Sequence, residues 1–283
     1  MRIATFNLEN LDPHPRAGID FADRLDVLRP QFLRLRADIL CLQEVNASDT
    51  SRKGPRILAG LDHLLEGTGY EGYHRVVSLN RDGKRYSDRH NLVILSRYPV
   101  ESHRQIWHDL VPPPQAPEAI EWERPVLHAV LRHPSGKLLH LLNLHLRAPR
   151  AAHVEGGKMS RGIWQSVGGW AEGFFRASVK QAGQALEVRL VLEEIFDERH
   201  DAWVAVCGDF NADDRETTIR TIRGDEEDTG NGHLAHRVLV PVERSLPESQ
   251  RFSAIHHGRR IMLDHVLVSR PLLAWYRASE VHN

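Results

Sequence analysis

The sequence is poor in cysteine and aromatic residues and has almost no net charge. Its two cysteines in 283 residues exclude a disulfide-stapled scaffold. Both Cys41 and Cys207 lie in apolar strand-like runs, where a buried free thiol is expected rather than a bridge or a metal site. The sequon Asn46-Ala47-Ser48 therefore carries no weight. With 37 Lys+Arg against 38 Asp+Glu the formal charge is -1, which excludes the global positive field of histone-like proteins and leaves nucleic acid only a local patch to bind. No apolar run approaches the roughly 20 residues that a membrane span needs. Met1-Arg2-Ile3 leads straight into a strand pattern instead of a signal peptide. The expectation is a cytoplasmic protein with no transmembrane segment and no inferred protein partner. What is present is 41% hydrophobic and 27% charged, enough to bury a full core, and residues 1–283 are read as one domain.

Strand and helix patterns alternate along the chain. Arg2 to Asn7 alternates and breaks at a polar loop, a short strand ending in Asn7. Phe21, Leu25, Leu28, Phe32 and Leu35 then recur at helical spacing, with a kink or restart expected at Pro30. Residues 37–42 form a buried strand ending in Gln43-Glu44, and a helix over 57–65 stops at Gly67-Thr68-Gly69. Further strands are expected at 73–78, 91–95, 125–132 and 138–145, the last two joined by a hairpin turn at Ser135-Gly136. Residues 148–170 read as a Gly-rich surface insertion, 174–196 as a long amphipathic helix, and 202–207 as a buried strand opening into Gly208-Asp209-Phe210-Asn211. After an acidic loop near 225–232, residues 260–268 give the last strand. Pro112-Pro113-Pro114 is too short for a domain linker. The alternation indicates an α/β or α+β layered fold with a mixed sheet.

Polar residues able to bind metal or move protons recur where these buried strands end: Asn7, Glu44, His145, Asp209 with Asn211, and Asp264. A buried strand holds its last side chain rigidly at the sheet edge, where ligands of layered α/β proteins bind. Oxygen ligands such as Glu44 and Asn7 suit a hard cation, Mg²⁺ or Mn²⁺, rather than zinc. Phosphate chemistry is the natural destination. Each residue also has a structural reading: Asn7 and Asn211 as turn formers, Glu44 as a first-turn helix carboxylate, His145 as a satisfied core histidine. Arg89, before the strand at 91, and Arg147 with Arg150, after His145, are candidate phosphate contacts against the alternative of solvated surface arginines. Three decoys fail on context. Gly67-Thr68-Gly69-Tyr70-Glu71-Gly72 follows a helix instead of a strand. The calcium-loop mimic starting at Asp209 has Asp214 where glycine is required. Gly157-Lys158 lacks the following Ser or Thr of a P-loop.

Six ordered blocks carry a resemblance: Thr5-Phe6-Asn7, Leu42-Gln43-Glu44-Val45, Val93-Ile94-Leu95-Ser96-Arg97-Tyr98-Pro99, Asn143-Leu144-His145-Leu146, Gly208-Asp209-Phe210-Asn211-Ala212, and Leu263-Asp264-His265-Val266-Leu267-Val268-Ser269. Together they resemble the motif series of the endonuclease/exonuclease/phosphatase superfamily, with its DNase I-like fold. The resemblance implies a four-layered sandwich, two mixed β-sheets face to face with helices outside, and Mg²⁺-dependent (or Mn²⁺-dependent) hydrolysis of a phosphoester by metal-assisted in-line attack of water. By the same resemblance Glu44 is the main metal ligand with Asn7 beside it. Asp209 orients or deprotonates the water, Asn211 contacts the scissile phosphate, and His145 lies near the phosphate and leaving group.

One block departs from the pattern. The family usually closes with a Ser-Asp-His-type motif on a final strand, and no such segment precedes Asn283. The expectation is that this strand lies beyond the present C-terminus. Asp264 then matches the penultimate strand, as the residue that orients the terminal histidine, and His265 is only a strand position. His256-His257 read as loop residues. The leading function is a phosphodiesterase or nuclease, with nucleic acid among the candidate substrates. The alternatives are a phosphomonoesterase or lipid-headgroup phosphodiesterase, for which Trp164, Trp170, Phe174 and Phe175 would form a membrane-facing loop instead of packing against the core, and a non-catalytic binding module.

Overall fold

The computed structural model describes residues 1–13, 20–50, 54–111, 121–160, 162–225, 230 and 232–282. The Pro112-Pro113-Pro114 segment and part of the acidic stretch near 225–232 lie outside the described residues. Strand β1 (Ile3–Leu11), helix α1 (Phe21–Leu35) and β2 (Ile39–Val45) are followed by the small pair β3 (Ser48–Asp49) and β4 (Arg56–Ile57), then α2 (Ala59–Leu65). Next come β5 (His74–Val77), β6 (Asn91–Ser96), β7 (Val100–Ile106), β8 (Val126–Arg132) and β9 (Leu138–His145). The hairpin of β10 (Lys158–Ser160) and β11 (Ile163–Trp164) precedes the long α3 (Val167–Glu198), β12 (Trp203–Asp209) and α4 (Thr217–Arg223). Last are β13 (Leu239–Pro241), the hairpin of β14 (Ala254–His256) and β15 (Arg259–Ile261), β16 (Asp264–Ser269) and the one-turn α5 (Arg270–Leu273).

The larger strands form a four-stranded sheet in the order β1-β2-β6-β5 and a six-stranded sheet in the order β13-β16-β12-β9-β8-β7. Each sheet has one parallel pair, β1 with β2 and β9 with β12, and its other neighbours run antiparallel. Side-chain alternation assigns the layers. In β2, Ile39 and Cys41 join the core shared with Leu139, Leu141, Trp203, Ala205 and Cys207 of the other sheet. The alternate residues Leu40 and Leu42 pack outward with Leu25 and Phe32 of α1 and Leu61 of α2. On the far side, Leu142, Leu144, Val204 and Val206 pack against Val188, Leu192 and Phe196 of α3 and Ile219 of α4. The order is helix, sheet, sheet, helix: the four-layered sandwich. Cys41 and Cys207 are free and buried in its middle layer.

The structure differs from the sequence reading at a few elements, each for a local reason. Helix α1 continues through Pro30 without a restart, with Asp20 capping its start through the Ala22 N–H. Helix α3 begins at Val167 rather than 174, because the Ser166 hydroxyl accepts the Gly169 N–H and so carries the glycine pair into the first turn. Strand β7, whose residues Glu101 to Arg104 are all exposed, is an edge strand with no apolar alternation to announce it. The expected single strand over 260–268 is two, β15 in a separate hairpin and β16 in the six-stranded sheet. Trp170, Phe174 and Phe175 do not pack into the core: they are 45%, 38% and 67% exposed.

Candidate active site

The alternation that builds the middle layer also delivers polar residues to its rim. In β12, Trp203, Ala205 and Cys207 face the opposite sheet, so Asp209, two residues further, is on the same face. It stands level with His145 on β9 and with Asp264 on β16. These three residues form one row across the centre of the six-stranded sheet. The row depends on Gly208: a Cβ there would lie 2.0 Å from the Leu144 carbonyl oxygen, so only glycine lets β12 pass this close to β9.

From the other sheet Asn7 follows Ile3 and Thr5 on the inner face of β1. Its amide donates to Asp209 Oδ2 at 2.9 Å and to Glu44 Oε1 at 3.1 Å, joining the two sheets at their rim. Strict alternation would send Glu44 outward with Leu40 and Leu42. Instead its backbone is left-handed, with φ 58°, and the β2–β6 register breaks between Leu42 and Val45. The carboxylate thereby reaches the Asn10 N–H at 3.0 Å as well as Asn7. His90 and Asn211 also have positive φ, 58° and 51°. Such strained residues cost on the order of 1–3 kcal/mol each and cluster at functional sites. Asn211 is held by its N–H to Asp209 Oδ1 at 2.8 Å and its amide to the Leu146 carbonyl at 3.1 Å.

Arg124 sits between the two histidines. Its Nη1 lies 3.0 and 3.2 Å from the ring nitrogens of His145 and 3.4 Å from His90 Nδ1. His145 Nε2 in turn lies 3.5 Å from Asp209 Oδ2 and 3.8 Å from Glu44 Oε1. Burial, with Arg124 and His90 adding to it, holds the His145 pKa well below the ordinary histidine value, so its ring is neutral. Burial and Arg124 likewise lower His90, against the pull of Glu44. Burial pushes Asp209 up, opposed by the hydrogen bonds from Asn7 and Asn211 and by Arg124. Asp264 is pushed up to about 7 by burial and by the negative charge of Asp209. Its Oδ1 is buried without a hydrogen-bond partner.

Asn7, Glu44, His145, Asp209, Asn211 and Asp264 thus meet at one rim. The arginines singled out in the sequence flank the rim without a hydrogen bond to its carboxylates among the described residues: the charge of Arg89 acts on His90 and that of Arg147 on Arg124, and Arg150 is exposed. Arg147 points its guanidinium at Glu123, 3.4 Å away, which also binds Lys180, and Arg89 is exposed. His265 is more than a strand position. It is fully buried, with Nδ1 on Glu243 and Nε2 on the Ala212 carbonyl, and fixes the loop after Asp209 to β16. Burial lowers its pKa, but the Glu243 pair outweighs this and raises it overall. Sequence reasoning missed Arg124 and His90. Both stand just before strands, β8 and β6, that run antiparallel to β9 and β2. In a mixed sheet one edge collects the ends of strands in one direction and the beginnings of the others, so strand ends alone give only part of the rim.

Glu44, His90 and His145 offer ligand atoms within 4.8 Å of one another and are a candidate metal group. Glu44 is also within reach of an oxygen set through Asn7 and Asp209. The chain is similar in structure to truncated TDP2 of Caenorhabditis elegans, at 18% identity over 94% of this chain and 83% of that one, with a TM-score of 0.56. It is also similar to a mannosyl-6-phosphatase of Bacteroides thetaiotaomicron, at 15% identity over 95% and 85% of the two chains, TM-score 0.58. A third likeness is the human Nocturnin catalytic domain with bound sulfate, at 15% identity over 94% and 81%, TM-score 0.56. At these identities the likeness is one of fold. No curated protein matches the chain. The model of the Endonuclease/Exonuclease/phosphatase family matches residues 4–282, and the chain belongs to that family, whose members hydrolyse phosphoester bonds.

Proposed function

We propose that this protein is a divalent-metal-dependent phosphodiesterase that directs water in line at a phosphate. The observation that carries the reading is the rim itself: Glu44, Asp209 and Asp264 face Arg124 and a neutral His145, with the Asn7 and Asn211 amides between them. Three carboxylates near one another in a buried site, two of them with raised pKa values and one with an orphaned oxygen, are short of positive charge. A divalent cation fits this deficit, and Glu44 and Asn7 would hold it. When bound, it supplies charge neutralisation at the phosphoryl oxygens and acidifies a coordinated water. An all-oxygen set around Glu44 suits Mg²⁺, and a set including His90 and His145 suits Mn²⁺ better.

The chain's own groups divide the remaining work. Asp209, fixed by two donors, orients the attacking water and accepts its proton. Arg124 and the neutral imidazole of His145 donate to the non-bridging oxygens, where charge grows in the transition state. One N–H of the Asn211 amide is engaged by the Leu146 carbonyl, and the other is oriented to donate to the phosphate. The test is hydrolysis of bis(p-nitrophenyl) phosphate and of p-nitrophenyl phosphate with Mg²⁺, Mn²⁺ or chelator. Metal-dependent turnover of the diester supports the reading. Turnover of the monoester alone would replace it with a phosphatase, and metal-independent or absent turnover would overturn it.

A further inference from the structure

We infer that the β14–β15 hairpin is a subsite for the phosphate backbone of a single-stranded nucleic acid, holding nucleotides beside the bond that is cut. The inference rests on the phosphodiesterase reading of the adjoining rim. Residues 249–263 contain no Asp or Glu and carry Arg251, His256, His257, Arg259 and Arg260. Several arginines elsewhere on the surface sit against carboxylates, as in Arg75–Asp62, Arg104–Glu194, Arg132–Glu101 and Arg244–Asp214. In the hairpin none has an acidic partner among the described residues. Arg259 is exposed and unpaired, while Arg260 lies over the Phe252 ring, 4.6 Å from its centre. A run of uncompensated cations is matched by a polyanion.

The hairpin is attached to the site. His256 pairs with Arg259, and the two-residue turn between them has φ 47° at His257 and 75° at Gly258, the doubly left-handed turn that suits the twist of a hairpin. At its base the Ser253 hydroxyl accepts the N–H groups of Leu263 and Asp264 at 3.0 and 3.1 Å, and the Leu263 carbonyl accepts the Phe210 N–H at 2.8 Å. The cations therefore start beside the Asp209–Asp264 row and extend about 10 Å from it, three strand residues at roughly 3.3 Å each. The tip, His257-Gly258, has no apolar side chain to enter a bilayer, and the exposed Ile255 (67%) stands back from it on β14. Imidazole rings and the Arg260–Phe252 stack offer flat faces to unpaired bases. These features favour a nucleic acid strand over an anionic membrane.

The experiment is fluorescence anisotropy of a labelled twelve-nucleotide oligothymidylate with the full chain in chelator, where no turnover is required, over a series of salt concentrations. A missing phosphodiesterase activity would show in the nitrophenyl assay and not here, so the two failures are separable. Wild type is expected to bind with an affinity that falls as salt rises. Arg259→Ala/Arg260→Ala weakens binding about tenfold and reduces the slope of log K against log salt by about 1.4, from two lost single-strand phosphate contacts. Arg259→Lys/Arg260→Lys keeps the slope, and the distant pair Arg97→Ala/Arg132→Ala changes neither quantity. Equal affinity and slope in the double alanine variant and wild type would overturn the proposal. So would absence of oligothymidylate binding together with arginine-dependent binding to phosphatidylcholine–phosphatidylserine vesicles, which would assign the hairpin to a membrane.

Discussion

Two polar clusters lie about two residues apart along the same strands, and they are built on opposite principles. The inner one is Thr5, Gln43 and Asn143. Gln43 Nε2 donates to Asn143 Oδ1 at 2.7 Å, Thr5 Oγ1 at 3.1 Å and the Cys41 carbonyl at 3.1 Å, and the Asn143 amide donates to the carbonyls of Leu42 and Val93. It is neutral, closed and, at Gln43 and Asn143, fully buried. The rim cluster of Asn7, Glu44, Asp209, Asp264 and Arg124 is charged and left open, with Asp264 Oδ1 and Arg124 Nε lacking partners. A satisfied buried network fixes how two sheets meet, whereas an unsatisfied charged one is a cost that the rest of the fold sustains for the sake of a ligand. The inner cluster holds the sheets in register, and the rim uses that register.

Separate readouts should break this pairing in opposite ways. Asp209→Asn keeps the shape of the rim and removes its base. It should lower diester turnover about 10³-fold while the urea midpoint stays level or rises, since a buried carboxylate near Glu44 and Asp264 is gone. Asn143→Leu does the reverse at the inner cluster. It takes the shortest acceptor from the Gln43 amide, leaves the strand carbonyls of Leu42 and Val93 without their side-chain donor, and should cost about 3 kcal/mol in urea unfolding. A stable Asn143→Leu protein would show that the inner cluster does not join the sheets.

The inner cluster and the rim also differ in how far the sequence exposed them. The layers were legible because Ile39, Cys41 and their alternates follow the two-residue period without interruption. The rim residues Asn7, His145 and Asp209 extend that same period by one step, so reading the strand ends found them. Glu44 was found at a strand end, but its position on the inner side depends on a left-handed residue and a register break, which a side-chain pattern does not encode. Arg124 and His90 were hidden because finding them needs strand direction, a property of topology. Gln43 and Asn143 stand in the motif blocks without a role of their own for another reason: an amide within an apolar strand signals nothing until its cross-sheet partner, 100 residues away, is known. Strands β7 and β13 are an exposed edge and a three-residue piece, too polar or too short to be periodic.

A pH series sharpens the contrast further. In the rim, Asp264 has a folded pKa of about 7 against 3.8 for the ordinary group. A raised carboxyl pKa means that the folded state binds more protons than the unfolded chain between these values. Its contribution to stability is therefore fully present below about pH 4 and lost as pH rises through 7. In chelator, wild type should lose about 2 kcal/mol relative to Asp264→Asn between pH 5 and pH 8, measured by urea unfolding. Added Mg²⁺ or Mn²⁺ should recover part of that loss in wild type and less in the variant. Parallel stability curves for the two proteins would mean that the rim carries no such charge deficit.

The smallest effect belongs to Thr5, the one member of the inner cluster that is only partly buried. Thr5→Val keeps the β-branched shape that suits a strand and removes the acceptor of Gln43 Nε2 together with the 3.4 Å donor to Gln43 Oε1. Gln43 Nε2 keeps its contacts to Asn143 and the Cys41 carbonyl, so no buried donor is left wholly unpaired. The expected cost is about 1 kcal/mol, a fall of roughly 2–4 °C in Tm for a chain of this size. Diester turnover should remain within twofold of wild type, because Asn7 is positioned by Glu44 and Asp209 and not by Thr5. A tenfold loss of turnover at so small a cost in stability would show that the closed cluster tunes the rim directly. The division of labour between the two clusters would then have to be given up in favour of a single coupled network.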